Sequence, residues 1–235
     1  MIPTVTTPSS TTTAQARFLL LGDSHAGPIG RAAAAAGVPF VGGPLGSGRD
    51  FNAGFFDLRD GEVVFREPAA QEHQRAVLTE LAVARLRELP VPLVCTFGLS
   101  VHFFATAENW RIYRAADGGF PPGFLTSDLF GAVVRAMARD ALAFYRHALG
   151  WGLRVLAVLP PQRVPSMADP LVFMAAQETI RAALADLGVE IVDLRSRVTD
   201  STGRQRAAFC EPDDPIHGNL AFGRLIVAEL IDRGL

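Results

Sequence analysis

Residues 22–25 read Gly-Asp-Ser-His and lie between an apolar run, 17–21, and an alanine-rich stretch, 29–36, that is predicted to be helical. Glycine permits a tight turn, so Ser24 can project from the end of a strand. The backbone N–H groups that open the helix converge on the same place. This arrangement suits a serine nucleophile that must also stabilise an oxyanion. The alternative is that Ser24 only caps the helix, as serine often does.

Residues 214–217 read Asp-Pro-Ile-His and contain the two partners that such a serine needs. A hydroxyl is a weak nucleophile, so an adjacent imidazole must take its proton. That imidazole needs a carboxylate to fix its tautomer and to stabilise its cation. Asp214 and His217 can meet both needs from one predicted loop. A lone histidine can also be a surface or capping residue, but this one lies beside a carboxylate at a predicted site edge.

Short apolar runs alternate with helical patterns along the chain. The predicted strands are 17–21, 38–41, 92–97, 154–159 and 190–194, and the predicted helices are 29–36, 71–89, 128–149, 168–187 and 219–233. A further strand at 62–65 is predicted to stand alone or to pair with 55–58 in a hairpin. The alternation predicts a parallel sheet with helices on both faces. Such sheets place their sites at the C-terminal strand ends, where both segments fall.

Together, GDSH at 22–25 and DPIHGNLAFG at 214–223 resemble the first and last sequence blocks of the SGNH, or GDSL-like, hydrolase superfamily. The resemblance implies a flavodoxin-like three-layer α/β/α sandwich with a mostly parallel central sheet, spanning residues 17–235. It also implies that Ser24 is the nucleophile, His217 the base and Asp214 the carboxylate that orients it.

The middle blocks of the superfamily match less well. The second block contributes a glycine N–H to the oxyanion hole, and Gly46 is preferred here over Gly48. The third block usually reads Gly-x-Asn-Asp, whereas residues 98–102 read Gly-Leu-Ser-Val-His, without the Asn that donates a side-chain N–H. Asn52 is the preferred replacement because a carboxamide reproduces the lost donor. The donors expected for the hole are Ser24, Gly46 and one of Asn52, Ser100 or His102.

Segment 100–127 is long, irregular and rich in Phe, Gly and Pro. A loop of this length usually has a function, such as covering a site. Its aromatic side chains either line an acyl or sugar pocket or only hold the loop against the core, and both interpretations stay open. The side chains expected to contact substrate are His25, His102 and Trp110, although His102 is also interpretable as a buried histidine bonded to backbone.

Composition excludes several classes of protein. The 235 residues suit one large domain or two small ones. They are 49% hydrophobic with a net charge of -2, which does not favour nucleic-acid binding. All 22 basic residues are Arg, so enzymes that need a lysine amine are excluded. The two cysteines lie far apart and no CxxC, HExxH or Cys/His cluster occurs, so neither a metal nor a cofactor is expected.

The first residues, 1–16, are rich in Thr, Ser and Pro and predict a disordered leader rather than a secretory signal. The least charged window, 90–107, is broken by Pro and Gly, so it predicts a buried strand and a loop instead of a membrane span. A cytoplasmic protein that binds neither membrane nor nucleic acid is expected. The sequence leaves the oligomeric state open.

The expected function is that of a serine esterase that hydrolyses a small acyl ester, most simply an acetyl ester, of a sugar or related metabolite. It would act through an acyl-serine intermediate. One alternative is an O-acyltransferase that passes the acyl group to a sugar hydroxyl. The other is a catalytically retired SGNH fold that binds carbohydrate, which the missing third-block Asn favours and the intact Ser24, Asp214 and His217 oppose.

Overall fold

The computed structural model describes residues 15–52 and 54–235. Its strands are β1 (Leu19–Gly22), β2 (Val41–Pro44), β3 (Phe56–Arg59), β4 (Glu62–Phe65), β5 (Leu93–Cys95), β6 (Val155–Val158) and β7 (Glu190–Val192). Five of them form a parallel sheet in the order β2-β1-β5-β6-β7, and β3 and β4 form a separate antiparallel hairpin. The strand order places β1 beside β5, so the loops that follow these two strands meet at one edge.

Helices cover both faces of the sheet. They are α1 (Ala26–Ala35), α2 (Pro68–Glu80), α3 (Ala107–Trp110), α4 (Asp128–Met137), α5 (Arg139–Gly150), α6 (Pro170–Leu187), α7 (Arg195–Val198) and α8 (Leu220–Asp232). Side chains alternate between the faces of a strand. Leu20 and Val94 therefore join the core under α1, α7 and α8, whereas Leu19 and Leu93 join the larger core under α2, α4, α5 and α6. The predicted three-layer α/β/α sandwich is confirmed.

The second strand begins later than predicted and includes part of the expected glycine loop. It runs through Gly42, whose φ is +92°, instead of ending at Val41. A Cβ on Gly42 would lie 2.2 Å from the carbonyl oxygen of Leu20 on the neighbouring strand. Only glycine fits this close approach, so a residue typical of loops serves here as part of a strand.

Two predicted helices are wrong in length. The helix predicted at 71–89 is α2, which ends at Glu80, and the chain then turns through Ala82 at a φ of +56°. The helix predicted at 128–149 is interrupted at Ala138, which ends α4 and precedes α5. Just beyond the break, Ala141 packs closely on Gly98. A Cβ on residue 98 would lie 2.1 Å from the methyl group of Ala141. Helical periodicity does not contain this tertiary contact of α5.

Residues 1–14 of the expected leader lie outside the described residues. Ala16, the last residue of that predicted leader, packs partly buried against the larger core. The division of the chain at residue 16 stays a prediction. Within 15–52 and 54–235, no helix combines the length and the apolar character needed to cross a membrane.

Candidate active site

The serine turn, residues 22–25, connects β1 directly to α1. A Cβ on Gly22 would lie 2.0 Å from Thr96 Oγ1, so only glycine allows the loop after β5 to approach this turn. The helix begins at Ala26 with His25 as its N-cap residue, and no side-chain capping bond is present. Ser24 is therefore not the helix cap, and its hydroxyl is available for another contact.

A buried carboxylate stabilises the serine turn from behind. Asp23 is fully buried, and its Oδ1 accepts hydrogen bonds from the backbone N–H of His25 (3.0 Å) and the hydroxyl of Thr96 (2.9 Å). Its Oδ2 accepts a hydrogen bond from Ser100 Oγ at 2.8 Å. Thr96 Oγ1 also accepts the N–H of Asp23 at 3.1 Å. A carboxylate is costly to bury unless such donors surround it, so this network fixes the backbone on both sides of Ser24.

The histidine loop, residues 211–217, brings its imidazole to the serine turn. His217 Nε2 lies 2.7 Å from Ser24 Oγ, and His217 Nδ1 lies 2.7 Å from Asp214 Oδ2. The expected hydrogen-bond distances between the three side chains are thus present. The two segments are 193 positions apart in the chain and meet at the C-terminal edge of the sheet.

Asp214 also organises the loop on which it lies. Its Oδ1 accepts the backbone N–H groups of Ile216 (2.7 Å) and His217 (2.8 Å), which closes a tight turn. Partial burial would raise the pKa of Asp214, but hydrogen bonds from the His217 side chain and from these two N–H groups lower it to about 2. The carboxylate therefore stays ionised at any ordinary pH and can stabilise an imidazolium beside it.

An open cleft of about 240 Å³ lies at the three side chains. Its lining consists of Ser24, Pro28, Arg31, Glu211, Asp214 and His217. Five of these six lining residues have polar or charged side chains. The cleft is small and has little apolar surface for a long acyl chain.

This geometry has parallels among solved structures. A protein of the lipolytic G-D-S-L family from Desulfitobacterium hafniense DCB-2 superposes with a TM-score of 0.52, at 9% identity, over 93% of this chain and 99% of that chain. The chain has the SGNH hydrolase fold. An SGNH hydrolase from Slackia heliotrinireducens gives a TM-score of 0.48 at 13% identity, covering 92% of this chain and 97% of that one. No protein-family model matches the sequence, and no curated protein does.

Two buried histidines lie near the site. The His25 ring lies 5.0 Å from the His217 ring, and His102 is buried in the loop after β5. Burial lowers the pKa of both imidazoles, that of His102 to about 4, so both are neutral near pH 7. His25 Nδ1 and His102 Nε2 are buried without a hydrogen-bond partner among the described residues. Substrate binding by either histidine stays a prediction.

The contacts of two predicted site residues do not favour the roles expected for them. Ser100, one of the expected oxyanion donors, donates its hydroxyl proton to Asp23 Oδ2. Trp110 is 1% exposed, donates its indole N–H to the carbonyl of Phe104 and packs on Phe130. Trp110 therefore holds the 100–127 loop against the core and does not line a substrate pocket.

The remaining candidates for an oxyanion hole lie on the loop after β2. Gly46 packs against Asp50 and Phe51, whereas a Cβ on Gly48 would lie 3.0 Å from Ser100 Oγ. Gly48 is thus the glycine in contact with the network behind Ser24. Both polar atoms of the Asn52 carboxamide are buried and have no hydrogen-bond partner among the described residues.

Sequence reasoning missed two supporting residues. Thr96 is a polar residue near the end of an apolar run, opposite Gly22. A polar residue at that position in the sequence could have indicated a role at the site. Arg163 follows β6 at the same sheet edge as the site, and its Nη1 donates to the carbonyl oxygens of Glu211 (2.9 Å) and His217 (2.7 Å). Its position after a strand was its only signal, because neighbouring prolines suggested nothing more than a turn.

Proposed function

We propose that this chain is a serine ester hydrolase of the SGNH type. The observation that carries the proposal is the continuous contact from Ser24 Oγ to His217 Nε2 and from His217 Nδ1 to Asp214. A helix cap or a surface histidine would not require a hydroxyl, an imidazole and an ionised carboxylate in line. Three such groups in this order are what nucleophilic acyl chemistry needs.

In the proposed reaction, Ser24 Oγ attacks the ester carbonyl carbon while His217 Nε2 takes the hydroxyl proton. The tetrahedral intermediate then collapses, the C–O bond to the alcohol breaks, and the imidazolium gives its proton to the departing alkoxide. Water repeats the sequence on the acyl-serine and releases the acid. Asp214, with its lowered pKa, remains an anion throughout and stabilises the transient imidazolium.

The proposed oxyanion hole combines backbone and side-chain donors. One is the Ser24 N–H at the opening of α1, where the helix dipole favours negative charge. A second is a glycine N–H, for which Gly48 now replaces Gly46 because of its contact with Ser100. The third is the Asn52 carboxamide. Its buried and unpartnered state supports this role, because a preorganised donor needs no competing partner before the reaction.

The proposed substrate carries a short acyl group, most simply acetyl, on a sugar or a related polar metabolite. The cleft supports this choice because it is small and because Arg31 and Glu211 line it alongside the three reacting side chains. Polar groups in a small site favour a small, hydroxyl-bearing alcohol over a lipid.

The test is hydrolysis of p-nitrophenyl acetate and of acetylated sugars by the wild type and by Ser24→Ala. We expect release of acetate by the wild type and a loss of activity in the folded variant. Incubation with and without a free sugar acceptor identifies the product: acetate indicates hydrolysis, and a new sugar ester indicates acyl transfer. If the wild type binds acetylated sugar but turns over none of these esters, the retired binding fold replaces the proposed hydrolase.

A further inference from the structure

The proposed chemistry gives no part to Arg163. Among the polar groups outside the three reacting side chains, its hydrogen bonds are the most clearly directed at the site. It lies in the connection between β6 and α6, and its guanidinium is partly buried. Within the described parts of the chain, no carboxylate lies in ion-pair contact with it. A cation without such a partner is usually solvated on a surface, but this one is directed at backbone carbonyls.

Those carbonyls stand at the two ends of the histidine loop. Arg163 Nη1 donates to Glu211 O at 2.9 Å and to His217 O at 2.7 Å. The loop is also closed on itself, because the Glu211 N–H donates to His217 O at 3.0 Å. One nitrogen therefore joins both ends of a seven-residue loop to the connection that follows a central strand.

The hydrogen bonds within the histidine loop cannot hold the loop against the rest of the site. Asp214 fixes the imidazole relative to its own turn through the bonds to Ile216 and His217. Those bonds move with the loop, so they do not determine how far Nε2 lies from Ser24. Across residues 15–52 and 54–235, the hydrogen bonds that reach the histidine loop from outside come from Arg163 and Ser24.

We propose that Arg163 is a positioning residue that sets the distance between His217 Nε2 and Ser24 Oγ. The inference rests on the proposed function, since that distance matters for proton transfer. Asp213, within the loop, has a φ of +56°, a conformation that aspartate adopts more readily than most residues. A displacement of about 1 Å can cost about 100-fold in rate, so the effect should be visible in kcat.

The experiment compares Arg163→Ala with Arg154→Gln. Arg154 lies just before β6 at the opposite sheet edge, where it bonds Glu190 and the carbonyl of Arg233, so it controls for the loss of an arginine. We expect Arg163→Ala to lower kcat by about 10- to 100-fold with little change in KM. Millimolar guanidinium should restore part of that kcat. Arg154→Gln should retain the wild-type kcat and gain nothing from guanidinium.

Amide hydrogen exchange supplies a readout independent of activity. Residues 211–217 should exchange faster in Arg163→Ala than in the wild type or in Arg154→Gln, because local opening of the loop is easier. A folded Arg163→Ala protein with wild-type kcat and wild-type exchange in the loop would overturn the inference. If Arg163→Ala does not fold, Arg163→Met keeps the apolar stem and is judged by the same two measurements.

The two proposals fail in different ways. A wild type without ester hydrolysis refutes the proposed function, and the exchange of residues 211–217 still decides the role of Arg163. A wild type that hydrolyses esters, with an Arg163→Ala variant unchanged in both readouts, refutes only the positioning role.

Discussion

The serine turn and the histidine loop meet at one hydrogen bond but are built differently. Behind the serine turn, Asp23, Thr96 and Ser100 are each at most 2% exposed and bond one another as part of the core. On the histidine loop, the side chains of Asp214 and His217 are 32% and 27% exposed. Damage to the serine turn should therefore weaken the fold, whereas damage to the histidine loop should affect chemistry alone.

The largest effect should come from Asp214→Asn, which separates chemistry from stability. The asparagine oxygen can still accept the N–H groups of Ile216 and His217, so the loop keeps its turn. Its NH₂ group, however, faces His217 Nδ1 and favours the wrong tautomer. We expect kcat to fall by about 10⁴-fold, with the urea-unfolding free energy nearly unchanged.

Asp213→Asn is the matched control, because it is the same substitution on the adjacent exposed residue and asparagine tolerates its positive φ. It should retain wild-type kcat. An Asp214→Asn enzyme with kcat within tenfold of the wild type would remove the carboxylate from the mechanism.

The next effect concerns the donor proposed on the serine-turn side. Asn52→Ala should lower kcat by about 10²–10³-fold, because one oxyanion donor is lost. Stability should hardly change, since the carboxamide has no hydrogen-bond partner among the described residues. The exposed Asn109, changed to Ala, is the control. If Asn52→Ala keeps the wild-type kcat, the hole operates on backbone donors and a neighbouring group such as His102.

Asp23→Ala should show the opposite pattern from Asp214→Asn. It leaves Thr96, Ser100 and the N–H of His25 without their acceptor, and we expect the unfolding free energy to fall by about 2–3 kcal/mol. Urea denaturation measures this. Asp50→Ala removes an exposed carboxylate that accepts two bonds from Ser47, and its cost should be clearly smaller. Equal costs would mean that the buried network contributes no more than a surface turn.

The smallest expected effect is the change of kcat/KM with pH, which is about tenfold per pH unit. Asp214 has a pKa of about 2 and His102 one of about 4, so neither changes charge above about pH 5. If one imidazole acts as the general base, kcat/KM should therefore be lost with a one-proton slope as the pH falls. A steeper fall, with two protons, would show that a second histidine also controls the rate.

Much of the site was predictable because its signals are local. Asp214 and His217 lie within four residues, and the segment 22–25 falls between a strand pattern and a helix pattern, so spacing and position sufficed to bring Ser24 to the same sheet edge. The sheet was predictable for a related reason: runs such as 155–159 are apolar throughout, as is typical of strands buried on both faces.

The errors arose where tertiary contacts decide the outcome. Ser100 has the right place for a donor, but only the structure shows Asp23 as the acceptor of its proton. A tryptophan in a Phe-rich loop, such as Trp110, is as consistent with a pocket wall as with a core residue. Only its burial in the structure decides between the two. The break at Ala138 precedes a close contact between Ala141 and Gly98, and Arg163 bonds residues 211 and 217 across a long sequence separation. None of these contacts produces a periodic pattern in the sequence.

Covalent labelling of the serine tests the central claim most directly. The wild-type protein is treated with a fluorophosphonate, and the intact mass and the modified peptide are determined. We predict one adduct on Ser24 in the wild type and none in Ser24→Ala, with Asp214→Asn labelled far more slowly and Asp213→Asn at the wild-type rate. A folded wild-type protein that remains unlabelled, or a Ser24→Ala variant that is labelled equally, would contradict the assignment of Ser24 as an activated nucleophile.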